Sequence, residues 1–246
     1  FFVMKISNAE FKEKCWRDLD KMTFRSKLLR VLSLPITKVL LYFPVTPNQV
    51  TFFNILLNFL RLWLFATGNA VNILIGALLL IFSEVLDRVD GGIARCKNIK
   101  SMRGSFFDDS FHDFLFLTTF IGIGIGVFVN TGNLIYLYSG FIVGILFVLA
   151  QNLFAHRKNI LYKKSSDPKK YIYRKLFPKR GLIDHIKQVI YSIFLYLTYI
   201  LVVMAVLNLW FNILHYYILF YAAYSIFYFC VNFYYLSSFK EDKREN

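Results

Sequence analysis

Six long apolar segments restrict what this chain can fold into. They lie at roughly residues 47–67, 71–90, 106–128, 133–155, 185–207 and 213–236. A helix needs about 20 apolar residues to cross the hydrocarbon core of a bilayer. Hydrophobic residues make up 57% of the chain, against about 45–50% in soluble domains. Because a segment in lipid must satisfy its own backbone hydrogen bonds, we predict an all-α integral membrane protein, a bundle of six transmembrane helices.

The net charge of +14 is distributed as expected for a membrane protein. The connections near 68–71, 129–132 and 208–212 carry no Lys or Arg, whereas residues 1–46 carry nine, 91–104 four and 156–187 eleven. The positive-inside rule therefore places both termini and the basic connections in the cytoplasm. We expect the basic residues to contact anionic membrane lipids, and we expect no nucleic-acid partner.

The N-terminal region is predicted to contain an amphipathic helix over residues 9–30. Its apolar positions recur at helical spacing among charged residues: Phe11, Cys15, Leu19 and Met22. Such a helix lies along the membrane surface or packs on the body of the protein. The predicted organisation is an N-terminal cytoplasmic region (1–46), a six-span domain (47–238) and a cytoplasmic tail (239–246).

The stretch DRVDGGIARCKNIKSMRGSFFDDSFHDF, residues 87–114, contains five Asp and one His between two apolar segments. At 100° per residue, Asp87 and Asp90 share one helix face, and Asp108 and His112 share a face of the next helix. Antiparallel helices joined by a short loop have neighbouring ends, so these side chains face each other. Converging carboxylates repel without a cation. This predicts Mg²⁺ or Mn²⁺, with two ions, bound by Asp87, Asp90, Asp108 and His112; an ordinary acidic helix end is the alternative.

Three further features concern helix ends and helix contacts. Thr46 is expected to cap the first span, with Pro47 in its first turn. Gly122 and Gly126 form a GxxxG pair that allows close helix packing. Arg61 lies inside the first apolar segment. We expect its side chain to extend to the membrane surface, with pairing inside the bundle as the alternative.

The acidic stretch resembles the signature of the CDP-alcohol phosphotransferase family. That signature reads Asp, two residues, Asp-Gly, two residues, Ala-Arg, eight residues, Gly, three residues, Asp, three residues, Asp. Seven positions match at the required spacing: Asp87, Asp90, Gly91, Ala94, Arg95, Gly104 and Asp108. The segment TPNQVT at 46–51 is also typical of the family, and the resemblance covers roughly residues 10–238.

The resemblance implies an enzyme of phospholipid or polar-lipid synthesis. It would transfer a phospho-alcohol group from a CDP-linked lipid or alcohol donor to a hydroxyl acceptor and release CMP. By the same resemblance, Asp87, Asp90 and Asp108 hold the metals on the diphosphate, and position 112 carries the catalytic base. The implied CDP-binding residues are Pro47, Asn48, Thr51, Asp90, Gly91, Ala94, Arg95 and Gly104. Dimers are common in the family, so a homodimer is a candidate assembly.

Position 112 departs from the signature, because it holds His where the family has its last Asp. In one reading His112 is the base, since a free imidazole accepts a proton near neutral pH more readily than a carboxylate. As a metal ligand it would favour Mn²⁺ or Zn²⁺ over Mg²⁺. In a second reading, Asp109 or Asp113 supplies the missing carboxylate. In a third, the protein is a non-catalytic CDP-lipid-binding pseudoenzyme.

The basic segment 156–187 is a candidate for acceptor binding. An anionic acceptor such as a sugar or polyol phosphate would suit its Lys and Arg residues, although a neutral acceptor is equally allowed. The candidates nearest the span ends are Arg157, Lys158, Arg180 and Lys187. The alternative is a basic loop that contacts only lipid headgroups.

Overall fold

A computed structural model describes residues 11, 24–99, 102–163 and 196–237. Side chains are described in these ranges except at residues 102–109, 154, 157–163 and 235–237. The described residues contain seven helices and no strand, which confirms the all-α prediction. The helices are α1 (Phe24–Leu41), α2 (Pro47–Ala66), α3 (Ala70–Cys96), α4 (Met102–Thr131), α5 (Leu134–Lys163), α6 (Leu197–Phe211) and α7 (Leu214–Ser237).

Five of these helices contain a segment long and apolar enough to cross a membrane. The segments are Pro47–Ala66, Ala70–Cys96, Ser110–Thr131, Leu134–Leu153 and Leu214–Tyr234. Helix α6 is apolar but has 15 residues, about 22 Å at 1.5 Å per residue, against about 30 Å of hydrocarbon. The predicted span 185–207 begins outside the described residues, so a sixth span stays a prediction. Most of the predicted surface helix 9–30 also lies outside them; α1 takes up its last residues and continues to Leu41.

Helices α3, α4 and α5 extend past the boundaries expected from hydropathy. Helix α3 has 27 residues, and α4 and α5 have 30 each, so each exceeds about 40 Å. The predicted spans 71–90, 106–128 and 133–155 correspond to the apolar parts of these helices. The helices are longer than the spans because polar residues at their ends continue the helical hydrogen bonding. The C-terminal end of α3, the N-terminal end of α4 and the C-terminal end of α5 lie on one side of the bundle, because short loops join these helices.

Helix α2 begins on that same side with a capping box. The Gln49 backbone N–H donates to Thr46 Oγ1, and the Thr46 backbone N–H donates to Gln49 Oε1 at 2.8 Å. Pro47 occupies the first helical turn. The predicted cap is confirmed, and it defines where the chain leaves the polar region and enters the bundle.

Small residues bring α4 close to α2 and α5. A Cβ added to Gly126 would lie 2.0 Å from the carbonyl oxygen of Phe65 in α2, and one added to Gly122 would lie 2.9 Å from Phe65 Cβ. On another face of α4, a Cβ on Gly124 would lie 2.9 Å from the Cα of Gly140 in α5. The predicted close contact at Gly122 and Gly126 is confirmed, and its partner is α2.

The expected extension of Arg61 to the membrane surface is wrong. The side chain is 1% exposed, on the buried face of α2 with Asn54 and Asn58. Its Nη2 donates to Asn58 Oδ1. The periodicity of α2 turns this polar face toward α3 and α4, so Arg61 pairs inside the bundle, as in the alternative.

We predict that Gly126→Ala destabilises the fold. The added methyl group would overlap the α2 backbone, and overpacking of this kind costs about 1–3 kcal/mol. The midpoint of thermal unfolding in detergent should fall by about 5 °C. The matched control is Val129→Ala, on an exposed face of α4. An equal fall in both variants would contradict the close contact.

Candidate active site

The C-terminal part of α3 places Asp87 and Asp90 one turn apart, both half-buried. Asp90 Oδ2 accepts a hydrogen bond from Thr51 Oγ1 in α2 at 2.8 Å. Two predicted site residues, 39 positions apart in sequence, are therefore in direct contact. The hydroxyl orients one carboxylate oxygen of Asp90.

A second contact joins the same two helix ends. Lys97 Nζ, just after α3, donates to the Val45 carbonyl oxygen just before α2 at 2.7 Å. Pro47 is half-buried and Asn48 is exposed in the first turn of α2 that follows. The two contacts fix the start of α2 against the end of α3, so this turn borders the acidic face of α3.

Asp87 faces α4. Its Oδ1 lies 3.6 Å from His112 Nε2, and its Oδ2 lies 3.8 Å from Arg88 Nε. The Asp87 side chain is 14% exposed and that of His112 is 49% exposed. The imidazole therefore lies between a shielded carboxylate and the open surface, where solvent can reach it.

Asp109 and Asp113 of α4 were the alternative carboxylates for the role of His112. Asp113 Oδ2 lies 3.4 Å from Asn152 Nδ2 in α5, so this carboxylate is directed to another helix than the one that carries Asp87. Asp109 has no described side chain. The geometry thus favours His112 over Asp113 as the group that faces Asp87.

Gly91, Ala94 and Arg95 continue the Asp87–Asp90 face toward the end of α3. A Cβ added to Gly91 would lie 3.2 Å from Arg95 Nη1, so the guanidinium folds back over the glycine. Arg95 is exposed, and the two small residues are half-buried. A cation beside small residues leaves room for a phosphorylated ligand to approach the helix.

Gly104 and Asp108 lie in the first turns of α4, with Asp108 one turn before His112. Their side chains are outside the described set. Among the described side chains, no group of three His, Cys, Asp or Glu is arranged to hold a metal. Asp87 and Asp90 nevertheless present carboxylate groups one turn apart on α3. Carboxylate oxygens are the ligands that Mg²⁺ and Mn²⁺ prefer, so these residue types suit a divalent cation.

The four predicted acceptor residues lie on the two sides of the end of α5 in sequence. Arg157 and Lys158 lie within this helix, which runs to Lys163, so placing them in a loop was wrong. The helix continues past its apolar part for the same reason as α3 does. Their side chains are not described, and Arg180 and Lys187 lie outside the described residues.

A charged contact one turn before Asp87 was missed in the sequence. Glu84 Oε1 accepts from Arg25 Nη2 in α1 at 2.7 Å and from Thr198 Oγ1 in α6 at 2.7 Å. Burial lowers the pKa of Arg25, but attraction to Glu84 and hydrogen bonds to Glu84 and Tyr199 outweigh it, so this pKa lies above its ordinary value. The sequence feature that could have predicted this contact is a single Glu inside an apolar segment. Glu84 joins α1 and α6 to the helix that carries the acidic motif.

The comparison with family models gives the class of the protein. The model described as CDP-alcohol phosphatidyltransferase matches residues 44–229, which include all of α2, α3, α4, α5 and α6. The chain belongs to this family, whose members transfer phosphate-containing groups from CDP-alcohols in lipid synthesis and generally depend on divalent metals. The comparison with curated proteins finds no match.

We predict that Arg25 and Glu84 stabilise the fold as a pair. Arg25→Met and Glu84→Gln should each lower the unfolding midpoint by about 3–5 °C. The double variant should fall no further than the larger single effect, because either change breaks the same contact. Lys27→Met is the matched control, since it removes an exposed charge from the same helix. Additive effects would contradict the pairing.

Proposed function

We propose that this chain is a metal-dependent enzyme that transfers a phospho-alcohol group, of the phosphatidyl type, from a CDP-linked donor to a hydroxyl acceptor and releases CMP. One observation carries the proposal. The family's acidic motif on α3 meets the TPNQVT segment of α2 through the Thr51–Asp90 hydrogen bond, and it meets α4 through His112 and Asp87. Three helix ends thus assemble one polar site at the edge of an apolar bundle.

In this mechanism His112 acts as the general base. The imidazole takes the proton of the acceptor hydroxyl, whose oxygen attacks the β-phosphorus of the donor. The bond from that phosphorus to the bridging oxygen breaks, and CMP leaves with the electron pair. The carboxylate of Asp87 stabilises the imidazolium that forms, and the exposed position of His112 allows the proton to pass to solvent.

The donor diphosphate is assigned to the surface bordered by α2 and α3. Pro47, Asn48 and Thr51 approach it from α2, and Gly91, Ala94 and Arg95 approach it from α3, with Gly104 and Asp108 from α4. Asp87, Asp90 and Asp108 would hold the divalent metal. The resemblance implies that this metal is Mg²⁺ or Mn²⁺ and that two ions bind. Bound there, the metal would offset the negative charge on the diphosphate and on departing CMP.

We place this site on the cytoplasmic side of the membrane. The helix ends that form it carry Arg95 and Lys97, whereas the turns at 67–69, 132–133 and 212–213 on the other side contain no Lys or Arg. This asymmetry supports a cytoplasmic site and cytoplasmic termini through the positive-inside rule.

We predict that His112→Ala abolishes transfer, by about 100-fold or more, because general bases contribute about 10²–10⁴-fold. His112→Asp should keep much of the activity, since it restores the residue of the family signature. The assay incubates purified protein with CDP-diacylglycerol or CDP-choline, a divalent metal and a panel of acceptor alcohols, and follows CMP. Asp113→Asn is the control expected to stay active.

The same assay separates the readings of position 112. Unchanged transfer by His112→Ala would overturn the role of His112, and a loss confined to Asp113→Asn would give that role to the carboxylate. Donor binding by the wild type without CMP release, in the presence of all acceptors, would identify a pseudoenzyme.

We propose that the acceptor approaches the cytoplasmic end of α5 and the segment beyond it, where Arg157, Lys158, Arg180 and Lys187 lie in sequence. If the acceptor is anionic, Arg180→Gln should raise its KM about tenfold, because a charge-assisted hydrogen bond is lost. The KM of the CDP-linked donor should not change. The absence of an effect at all four positions would remove this subsite.

A further inference from the structure

A stripe of polar residues runs along the buried face of α2 from the candidate site into the core. Thr51, Asn54, Asn58 and Arg61 recur at helical spacing on this face. Asn54 is 1% exposed, Asn58 0% and Arg61 1%. Large apolar residues occupy the opposite, exposed face of α2: Phe52, Leu56, Phe59, Leu60 and Trp63. The polar side chains therefore face protein rather than lipid.

Arg61 has too few hydrogen-bond partners for a buried guanidinium. Its Nη2 donates to Asn58 Oδ1, which also accepts from Thr118 Oγ1 in α4 at 3.0 Å. Its Nε and Nη1 are buried and have no partner among the described residues. Glu84 is the acidic group there that acts electrostatically on Arg61, but its Oε1 is occupied by Arg25 and Thr198.

The surrounding polar atoms contain both unpaired donors and unpaired acceptors. Of the buried side-chain atoms that lack a partner in the described part of the chain, six belong to Arg61 and to polar residues of α2 and α3: Nε and Nη1 of Arg61, Nδ2 of Asn58, Oδ1 of Asn54, Oγ of Ser83 and Oε2 of Glu84. Asn54 Nδ2 donates to the Ser83 carbonyl oxygen at 3.0 Å, so the α2 residues and the α3 residues belong to one interface. The unpaired N–H groups belong to Asn58 and Arg61, and the unpaired carbonyl and carboxylate oxygens to Asn54 and Glu84.

The desolvation cost of these unpaired atoms favours a bound ligand or water between α2 and α3 over an empty interior. A buried polar atom without a partner bears the full penalty of its desolvation, so six of them together would offset a large part of the stability of a typical domain. An anion would satisfy the donors of Asn58 and Arg61 but could not donate to the unpaired oxygens of Asn54 and Glu84, and a cation would be repelled by Arg61. Water both donates and accepts, so it satisfies both groups.

We propose that this region, which we call the polar seam (Asn54, Asn58, Arg61, Ser83 and Glu84), is an internal water-binding site, and that Arg61 is a positioning residue for the donor site. Ordered waters accept from Arg61 and Asn58 and donate to Asn54 and Glu84. They fix α2 in rotation and depth against α3. Because Thr51 lies on the same face of α2, the polar seam also fixes the Thr51–Asp90 contact. The positioning role of Arg61 rests on the proposed function.

The first experiment tests hydration independently of activity. Protein with ¹⁵N-labelled arginine, reconstituted in lipid nanodiscs, gives one Nε–H signal for each arginine, and the Arg61 signal is the one missing from Arg61→Lys. The proposal predicts a cross-peak between this signal and bound water. An Arg61 Nε–H that is protected from exchange and shows no contact with water would overturn it.

The second experiment tests positioning. Arg61→Met should raise the KM of the CDP-linked donor about tenfold and change kcat less than twofold, and Arg61→Lys should restore most of the difference. Thr118→Val, which removes one hydrogen bond at nearly constant volume, should give an intermediate KM and keeps the test available if Arg61→Met does not fold. Leu60→Met on the exposed face of α2 is the control.

The two experiments fail separately. An unchanged donor KM in Arg61→Met and Thr118→Val would overturn the positioning role, whatever the hydration result. Absence of transfer in the wild type would instead contradict the proposed function, and the nanodisc spectrum would still decide whether the seam binds water.

Discussion

The interface between α2 and α3 is polar along much of its length, and the geometry of the candidate site depends on it. Thr51 donates to Asp90 at the site, and Asn54 donates to the Ser83 carbonyl oxygen one turn deeper. Inside an apolar bundle such bonds are shielded from bulk water, so they are directional constraints on the rotation of α2. An entirely apolar face could bury the same area without determining that Thr51 meets Asp90.

The position of α4 follows from a different constraint. Gly122 and Gly126 let its backbone approach that of α2 near Phe65. Because α4 is one continuous helix from Met102 to Thr131, close contact in its apolar part also restricts its polar end. His112 lies at that end, where its imidazole meets Asp87. The packing of small residues in the core thus contributes to the arrangement of the acidic site.

Apolar segments and motif spacing predicted the parts of the fold that follow from local chemistry. The starts of α2 and α7, the Thr46 cap and the contact of Gly122 with a neighbouring helix needed only hydropathy, capping residues and small-residue spacing. The ends of α3 and α5 could not be placed this way, because polar residues continue a helix beyond the hydrocarbon without any change in backbone chemistry. Similarly, a lone Arg61 is compatible with lipid or protein surroundings until its neighbours are known.

The facing of Asp87 and His112 across two helix ends was predicted from the sequence, but the contacts that support the acidic site from other parts of the chain were not. Motif spacing identified Asp87, Asp90 and His112, whereas the Lys97–Val45 contact and the support of Glu84 by Arg25 depend on residues far apart in the chain. The polar spacing of Thr51, Asn54, Asn58 and Arg61 was visible in the sequence. It predicts a buried polar face once α2 is known to pack on two sides, and this knowledge requires the tertiary structure.

We propose that the donor reacts where α2, α3 and α4 meet. The most direct test compares wild type with Asp90→Asn, with and without chelator, and measures the amounts of CMP and phospho-alcohol product together. Wild type should give equal amounts of both products and should lose both on chelation, with recovery on adding Mg²⁺ or Mn²⁺. Asp90→Asn should give neither product, and unchanged, chelator-resistant release of CMP by this variant would contradict the proposed reaction site.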